Sequence, residues 1–321
     1  MKRVIVDCDP GIDDTFALIY LAAAHLAGEV EICAVTTTSG NVDAEQCAVN
    51  AAWVLEQCGV STVPVAAGRA APLEVALATT PETHGGTGLG YVDAAHREVA
   101  RNWEALWIDA MSRMDDLQLI VTGPLTNAAA FARTYPSHFE KFSRITVMGG
   151  AVNYPGNTTP TAEWNFWVDP HAADIAFAAA PAPLTLCPLN LTEQMVLEPG
   201  RLEGIVDKLG GAPIASHLAA ITQFYFEFHQ QVGEGYCAQI HDLLTVLVAL
   251  NEARWASRLA TLRVETESSL TRGTVAADFK GMWQREPNAR VLTEADIAGA
   301  WERFEHACEL LQFHTGTTPP R

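Results

Sequence analysis

Lysine is scarce in this 321-residue chain. It occurs four times (Lys2, Lys141, Lys208 and Lys280), and Lys and Arg together number 20 against 38 Asp and Glu, a net charge of −18. That balance repels phosphate backbones and anionic lipid, so neither nucleic acid nor a membrane surface is an expected partner. No apolar run reaches the roughly 20 residues of a spanning helix. No early segment joins a basic stretch to an apolar core and a cleavage site. The seven cysteines form no C-x-x-C pair, so they read as free thiols of a cytoplasmic protein and not as a zinc site or disulfide frame. Charge of either sign is sparse at 18% while 49% of residues are hydrophobic. That is ample for a core and excludes disorder.

Against this background the opening DCDPGIDD is unusual, because Asp7, Asp9, Asp13 and Asp14 fall within eight residues. Val4 to Val6 reads as a buried strand ended by a Pro-Gly turn. Phe16, Ala17, Ile19, Tyr20 and Ala23 recur at helical spacing, so a helix begins near Asp13 or Asp14. Capping and the helix dipole account for one or two of the aspartates. They leave Asp7 and Asp9 unexplained. Carboxylates this close raise one another's pKa unless a cation neutralises them, and oxygen-only donors favour a hard ion, calcium or magnesium.

Further along, strands alternate with helices. Strands are expected at 31–37, 63–66, 117–122, 144–148 and 184–187. Helices are expected from Asp43 to about 58, over 200–230 and 242–252, and finally over 293–312. A late hairpin is expected from 261–267 with 274–278, and 68–97 reads as a long loop. This pattern predicts an α/β fold with a mostly parallel, mixed sheet flanked by helices, in a single domain over 1–321. Ligands of such sheets bind beyond the carboxyl ends of the strands. The polar residues expected there are the four aspartates, Asn41, Thr122, Asn157, Glu163, Asn165 and the pair His241–Asp242. Each taken singly reads as a turn or capping residue. Together at one end of one sheet they read as a site.

The motifs DCDPGIDD (7–14), TTTSGN (36–41), HGGTGLG (84–90), TGPLTN (122–127) and VMGG (147–150) are followed by GNTTPTAEWNFWVDP (156–170), HDLLTVL (241–247) and LTRGTVAADF (270–279). With these the sequence resembles the inosine-uridine-preferring nucleoside hydrolase family over essentially its whole length. The resemblance implies a Rossmann-like nucleoside hydrolase fold and hydrolysis of ribonucleosides to ribose and base, in nucleoside salvage. It implies one calcium ion per chain, held by Asp9, Asp14, the Thr122 carbonyl and Asp242. Asp9 is then the general base for a metal-bound water. Asp13, Asn157, Glu163, Asn165 and Asp242 bind the ribose hydroxyls beside Asn41, and Met148 lies along the sugar. Asp7 orients the others. A homodimer or homotetramer is the implied assembly.

Cleaving an N-glycosidic bond passes through a ribosyl cation, which carboxylates beneath the ring stabilise. The departing base needs a hydrogen-bond or proton donor, and His241 is the expected acid because imidazole titrates near neutral pH. His84 and His229 are the other candidates. Tyr225 lies one helical turn from His229, a spacing that suits either two residues facing one pocket together or two packing residues. Two rival readings exist. Asp7-Cys8-Asp9 after an apolar strand also opens magnesium phosphatases of the haloacid-dehalogenase type, but no lysine follows a strand end and no later G-D-x-x-x-D occurs. A non-catalytic nucleoside- or sugar-binding protein needs neither the Asp9 base nor the His241 acid.

Overall fold

The computed structural model describes residues 1–95 and 97–316. Its strands are, in chain order, β1 (Lys2–Cys8), β2 (Val30–Thr37), β3 (Val65–Ala67), β4 (Leu117–Val121), β5 (Arg144–Met148), β6 (Leu184–Cys187), β7 (Val196–Leu197), β8 (Ala238–Gln239), β9 (Trp255–Val264), β10 (Val275–Asp278) and β11 (Ala289–Ala295). β7 and β8 form a small antiparallel pair. The other nine make one sheet in the order β10-β9-β11-β6-β5-β4-β1-β2-β3. From β3 to β11 every pairing is parallel, while β9 and β10 add antiparallel edges. The sheet is therefore mixed and mostly parallel.

β1 sits at the centre because Val4 to Cys8 are buried on both faces, which only a strand with neighbours on each side and helices above and below can satisfy. One face packs on the helices Ile12–Leu26, His241–Ala249 and Ile297–Thr315, the other on Trp103–Arg113, Thr126–Thr134 and Pro170–Ala179. The chain runs β1-β2-β3 towards one edge and β4-β5-β6 towards the other. The direction reverses between β1 and β4. Connections there diverge and leave a crevice at the strand ends, where Asp9 and Thr122 emerge.

Several expectations change. The stretch 200–230 is two helices, Pro199–Leu209 and Ala215–Val232, broken at Gly210, whose φ of +52° ends the first. The C-terminal helix begins at Ile297, with Asp296 accepting from the Gly299 N–H at 3.0 Å. Residues 289–295 before it are a strand. The helices Trp103–Arg113, Thr126–Thr134 and Pro170–Ala179 come in addition to those expected. No helix among the described residues is long and apolar enough to cross a membrane.

Candidate active site

A cavity of about 430 Å³ opens at the carboxyl ends of β1, β2, β4 and β5. Every expected site residue lines it except Asp7 and Asp14, and no Lys or Arg does so among the described residues.

Asp9 follows the end of β1, and its carboxylate is tightly placed. The Asn41 backbone N–H donates to Oδ2 at 2.9 Å, and Asn41 Nδ2 donates to the Asp9 carbonyl at 3.0 Å. Asp14 begins the first helix. Its oxygens accept from the Gly11 N–H at 3.1 Å and from the Thr122 hydroxyl at 2.8 Å. Asp14 is thus the local cap, which frees Asp13 to face Asp242 across the cavity floor. Beneath them Asp7 is wholly buried; Oδ1 accepts from Thr36 and Asn127 at 2.7 and 2.8 Å, while Oδ2 has no partner. The Asp7 carbonyl accepts from the Thr122 N–H at 2.9 Å, so β1 also sets the position of Thr122.

Burial raises every one of these carboxyls, Asp13 and Asp7 to about 7 and Asp14 to about 6. Asp9 and Asp242 rise well above the usual range, through burial and then through the charges of Asp14 and Asp13 respectively. Oxygens of Asp13, Asp14 and Asp242 lie within 4.8 Å of one another. Two oxygens on opposite sides of a calcium ion, each held at roughly 2.4 Å, are separated by about that span. An all-oxygen cluster, buried and without a cationic side chain, fits a hard divalent ion. The trio includes Asp13, which the sequence reading put on the ribose, and leaves Asp9 outside.

One side wall comes from the segment 157–168. Glu163 caps the five-residue helix Trp164–Val168 by accepting from the N–H groups of Asn165 (2.9 Å) and Phe166 (3.2 Å), and it also takes the Gly150 N–H at 2.7 Å. Burial pushes its carboxyl up to about 7. Asn165 Nδ2 donates to the Thr122 carbonyl at 2.7 Å and lies 3.3 Å from the Met148 sulfur. Asn157, exposed at the mouth, accepts from the Trp164 N–H at 3.0 Å.

The opposite end is aromatic and holds three histidines. The Tyr225 ring packs at a tilt against His229 and His84, with ring centroids 4.3 and 5.2 Å away. Hydrogen bonds assign the tautomers. The Ile12 N–H donates to His84 Nδ1 at 3.2 Å, so the His84 proton is on Nε2. His229 Nδ1 donates to the Tyr225 carbonyl at 2.9 Å. His229 therefore keeps an Nε2 lone pair. The Thr192 hydroxyl lies 3.0 Å from His241 Nδ1 and 3.4 Å from the Leu189 carbonyl, so it ties down the His241 ring through Nδ1. Burial lowers all three, His84 and His241 to about 3. Burial works against the expected titration of His241 near neutrality.

The sequence reading also missed residues. Glu234 lines the cavity 3.7 Å from His229 Nε2 and accepts from Gln239 Nε2 at 2.9 Å. Thr80, Thr83, Phe228 and Trp164 line it as well. Glu234 follows Gly233, whose φ of +90° ends the helix and turns the chain back to the cavity. That glycine was the available signal.

The family model described as inosine-uridine preferring nucleoside hydrolase matches residues 4–302. The pyrimidine-specific ribonucleoside hydrolase RihA of Shewanella sp. (strain ANA-3) is 35% identical over 303 residues, covering 93% of each chain. Its counterpart from Salmonella typhi is 31% identical over 301 residues, covering 92% of this chain and 94% of that one. Among solved structures, a plant nucleoside hydrolase, PpNRh1, superposes with a TM-score of 0.84 at 26% identity, covering 96% of this chain and 99% of that one. A purine-preferring ribonucleoside hydrolase from Gardnerella vaginalis gives 0.83 at 27%, with the same coverage. The phosphatase and binding-protein readings fall away, and the chain belongs to the inosine-uridine preferring nucleoside hydrolase family as an enzyme, a ribonucleoside hydrolase.

Proposed function

We propose that this enzyme releases the base from ribonucleosides with calcium as its ion, as a single-domain cytoplasmic protein of nucleoside salvage that assembles as a homodimer or homotetramer. The observation that carries the reading is one cavity with carboxylates and amides at one end and aromatic rings and imidazoles at the other. A sugar suits the first end and a planar base the second. The names of the relatives at 31–35% identity favour pyrimidine ribonucleosides.

The chain's own groups divide the work. Asp9, held by Asn41, takes the proton of the water that attacks carbon one. Asn157, Glu163 and Asn165 hold the ribose hydroxyls and Met148 lies against the ring. The buried carboxylates stabilise the positive charge that grows on the sugar. Asp13, Asp14, Asp242, Asp9 and the Thr122 carbonyl would hold the ion, which when bound acidifies water and grips ribose hydroxyls. Tyr225 and the histidines face the base. His84 supplies the N–H that meets the departing base, while His229 accepts and His241, tied to Thr192, orients it.

A hydrolysis screen over uridine, cytidine, inosine, adenosine and guanosine, read as ribose release with calcium, with magnesium and with chelator, tests the reading. Calcium-dependent release from uridine and cytidine is expected. No release from any of the five overturns it.

A further inference from the structure

The motif LTRGTVAADF (270–279) takes no part in the chemistry above, yet it touches the wall that does. We propose that Arg272 is a positioning residue, which clamps the ribose-binding segment 157–168 from outside the cavity. The inference rests on the assignment of that segment to the ribose.

The helix Trp164–Val168 has five residues, too few to hold its shape alone, so neighbours must fix it. Inside, Glu163 and the close approach of Phe166 to Gly149 do so. Outside, the loop between β9 and β10 supplies three contacts. The Arg272 guanidinium lies 3.9 Å over the centroid of the Trp167 ring, and Trp167 stacks on Trp164 at 5.7 Å and 25°. Trp164 itself lines the cavity. Gly273, at a φ of +82°, lets the loop come so close that a Cβ there would lie 2.8 Å from the Trp167 α-carbon. The Thr274 hydroxyl donates to Thr161 at 2.7 Å. The loop is itself braced, because Glu265 and the 273–274 backbone exchange two hydrogen bonds of 2.9 Å. A planar guanidinium suits a ring face better than an ammonium does.

From Trp167 the constraint passes to Glu163 and Asn165, and from Asn165 to the Thr122 carbonyl at 2.7 Å. Loosening the clamp lowers the fraction of molecules with this wall formed. Apparent affinity falls by that fraction, whereas bound substrate restores the wall. The signature is therefore a change in KM with little change in kcat.

The test uses Arg272→Ala and Arg272→Lys in the full-length, metal-loaded enzyme. Arg272→Ala is expected to raise KM about 3- to 30-fold, the range set by a cation over an aromatic face, with kcat within about twofold. The inhibition constant of free ribose should rise by the same factor and that of free nucleobase should not. Arg272→Lys should give a smaller ribose-specific rise, and millimolar guanidinium should lower the KM of Arg272→Ala alone. If Arg272→Ala does not fold, Arg272→Lys carries the comparison. An unchanged KM, or ribose and base inhibition rising together, overturns the proposal. A wild-type enzyme that turns over no nucleoside overturns the functional reading, and this proposal with it.

Discussion

Gly40 presses so closely on Asp9 that a Cβ built on it would come within 2.1 Å of the Asp9 Oδ2 atom. Gly123 closes the other side, where a Cβ would lie 2.7 Å from Oδ1. Only hydrogens fit on either flank. Gly40→Ala should therefore displace the carboxylate without adding or removing any polar or charged group at the site. A misplacement of about 1 Å can cost about 10² in rate, and kcat should fall by roughly that factor while the melting temperature changes little. A variant with near-normal kcat would show that the placement of Asp9 is unimportant.

Asp9→Asn keeps the shape and removes the base. Loss of a general base is worth about 10² to 10⁴, so kcat should drop at least that far. Stability should move the other way. The Asp9 carboxyl is driven upward by burial and by the charge of Asp14, so a neutral amide relieves repulsion in the chelated protein. Thermal denaturation in chelator should show Asp9→Asn at or above the wild type. A lower melting temperature would mean that the carboxylate is held by bonds stronger than the repulsion.

Calcium binding should depend on pH in a definite direction. In the metal-free fold Asp13 and Asp14 sit at about 7 and about 6 against an ordinary 3.8. Because folding raises them, their contribution is fully present below about 3.8 and is lost as pH rises towards 7. The histidines act oppositely, since His84 and His241 are lowered to about 3 and their contribution is lost as pH falls below about 6.5. The gain in melting temperature on adding calcium separates the two, because the histidines enter both curves alike. That gain should be small at pH 4 and large at pH 7. An equal gain at both would place the ion away from this cluster.

The sheet and the acidic cluster were legible because buried parallel strands are unbroken apolar runs, and the groups beyond their ends share one crevice. β11 was not. Its register shifts between Leu292 and Glu294, and Val291 and Leu292 are both buried, so the alternation that marks a strand is lost just where the helix begins. The close approach of Gly40 and Gly123 to Asp9 brings together residues that follow β1, β2 and β4, and no local pattern encodes it. The histidine states were likewise out of reach. Thr192 lies 49 positions from His241 and Ile12 lies 72 from His84, yet these partners decide which nitrogen carries the proton.

Those tautomers lead to a last prediction. Sequence reasoning makes His241 the acid, but burial drives its folded form to neutrality near pH 7, with Nδ1 engaged by Thr192. His84 is also neutral, but it keeps its proton on the free nitrogen. A neutral imidazole helps the departing base by hydrogen bonding to its growing negative charge and not by full proton transfer. Removing one such donor typically costs about 10² to 10³ in rate. His84→Ala should thus slow uridine and cytidine by about that factor and scarcely slow p-nitrophenyl riboside, whose leaving group departs as a stable anion. His241→Ala should slow both kinds of substrate alike, because an imidazole tied to Thr192 orients the bound nucleoside without aiding its departure. With His84, His229 and His241 all lowered by burial, kcat should not fall as pH rises from about 6 to 8. If His241→Ala instead spares p-nitrophenyl riboside and kcat falls across that range, the protonated His241 is the acid and the roles of the two histidines are exchanged.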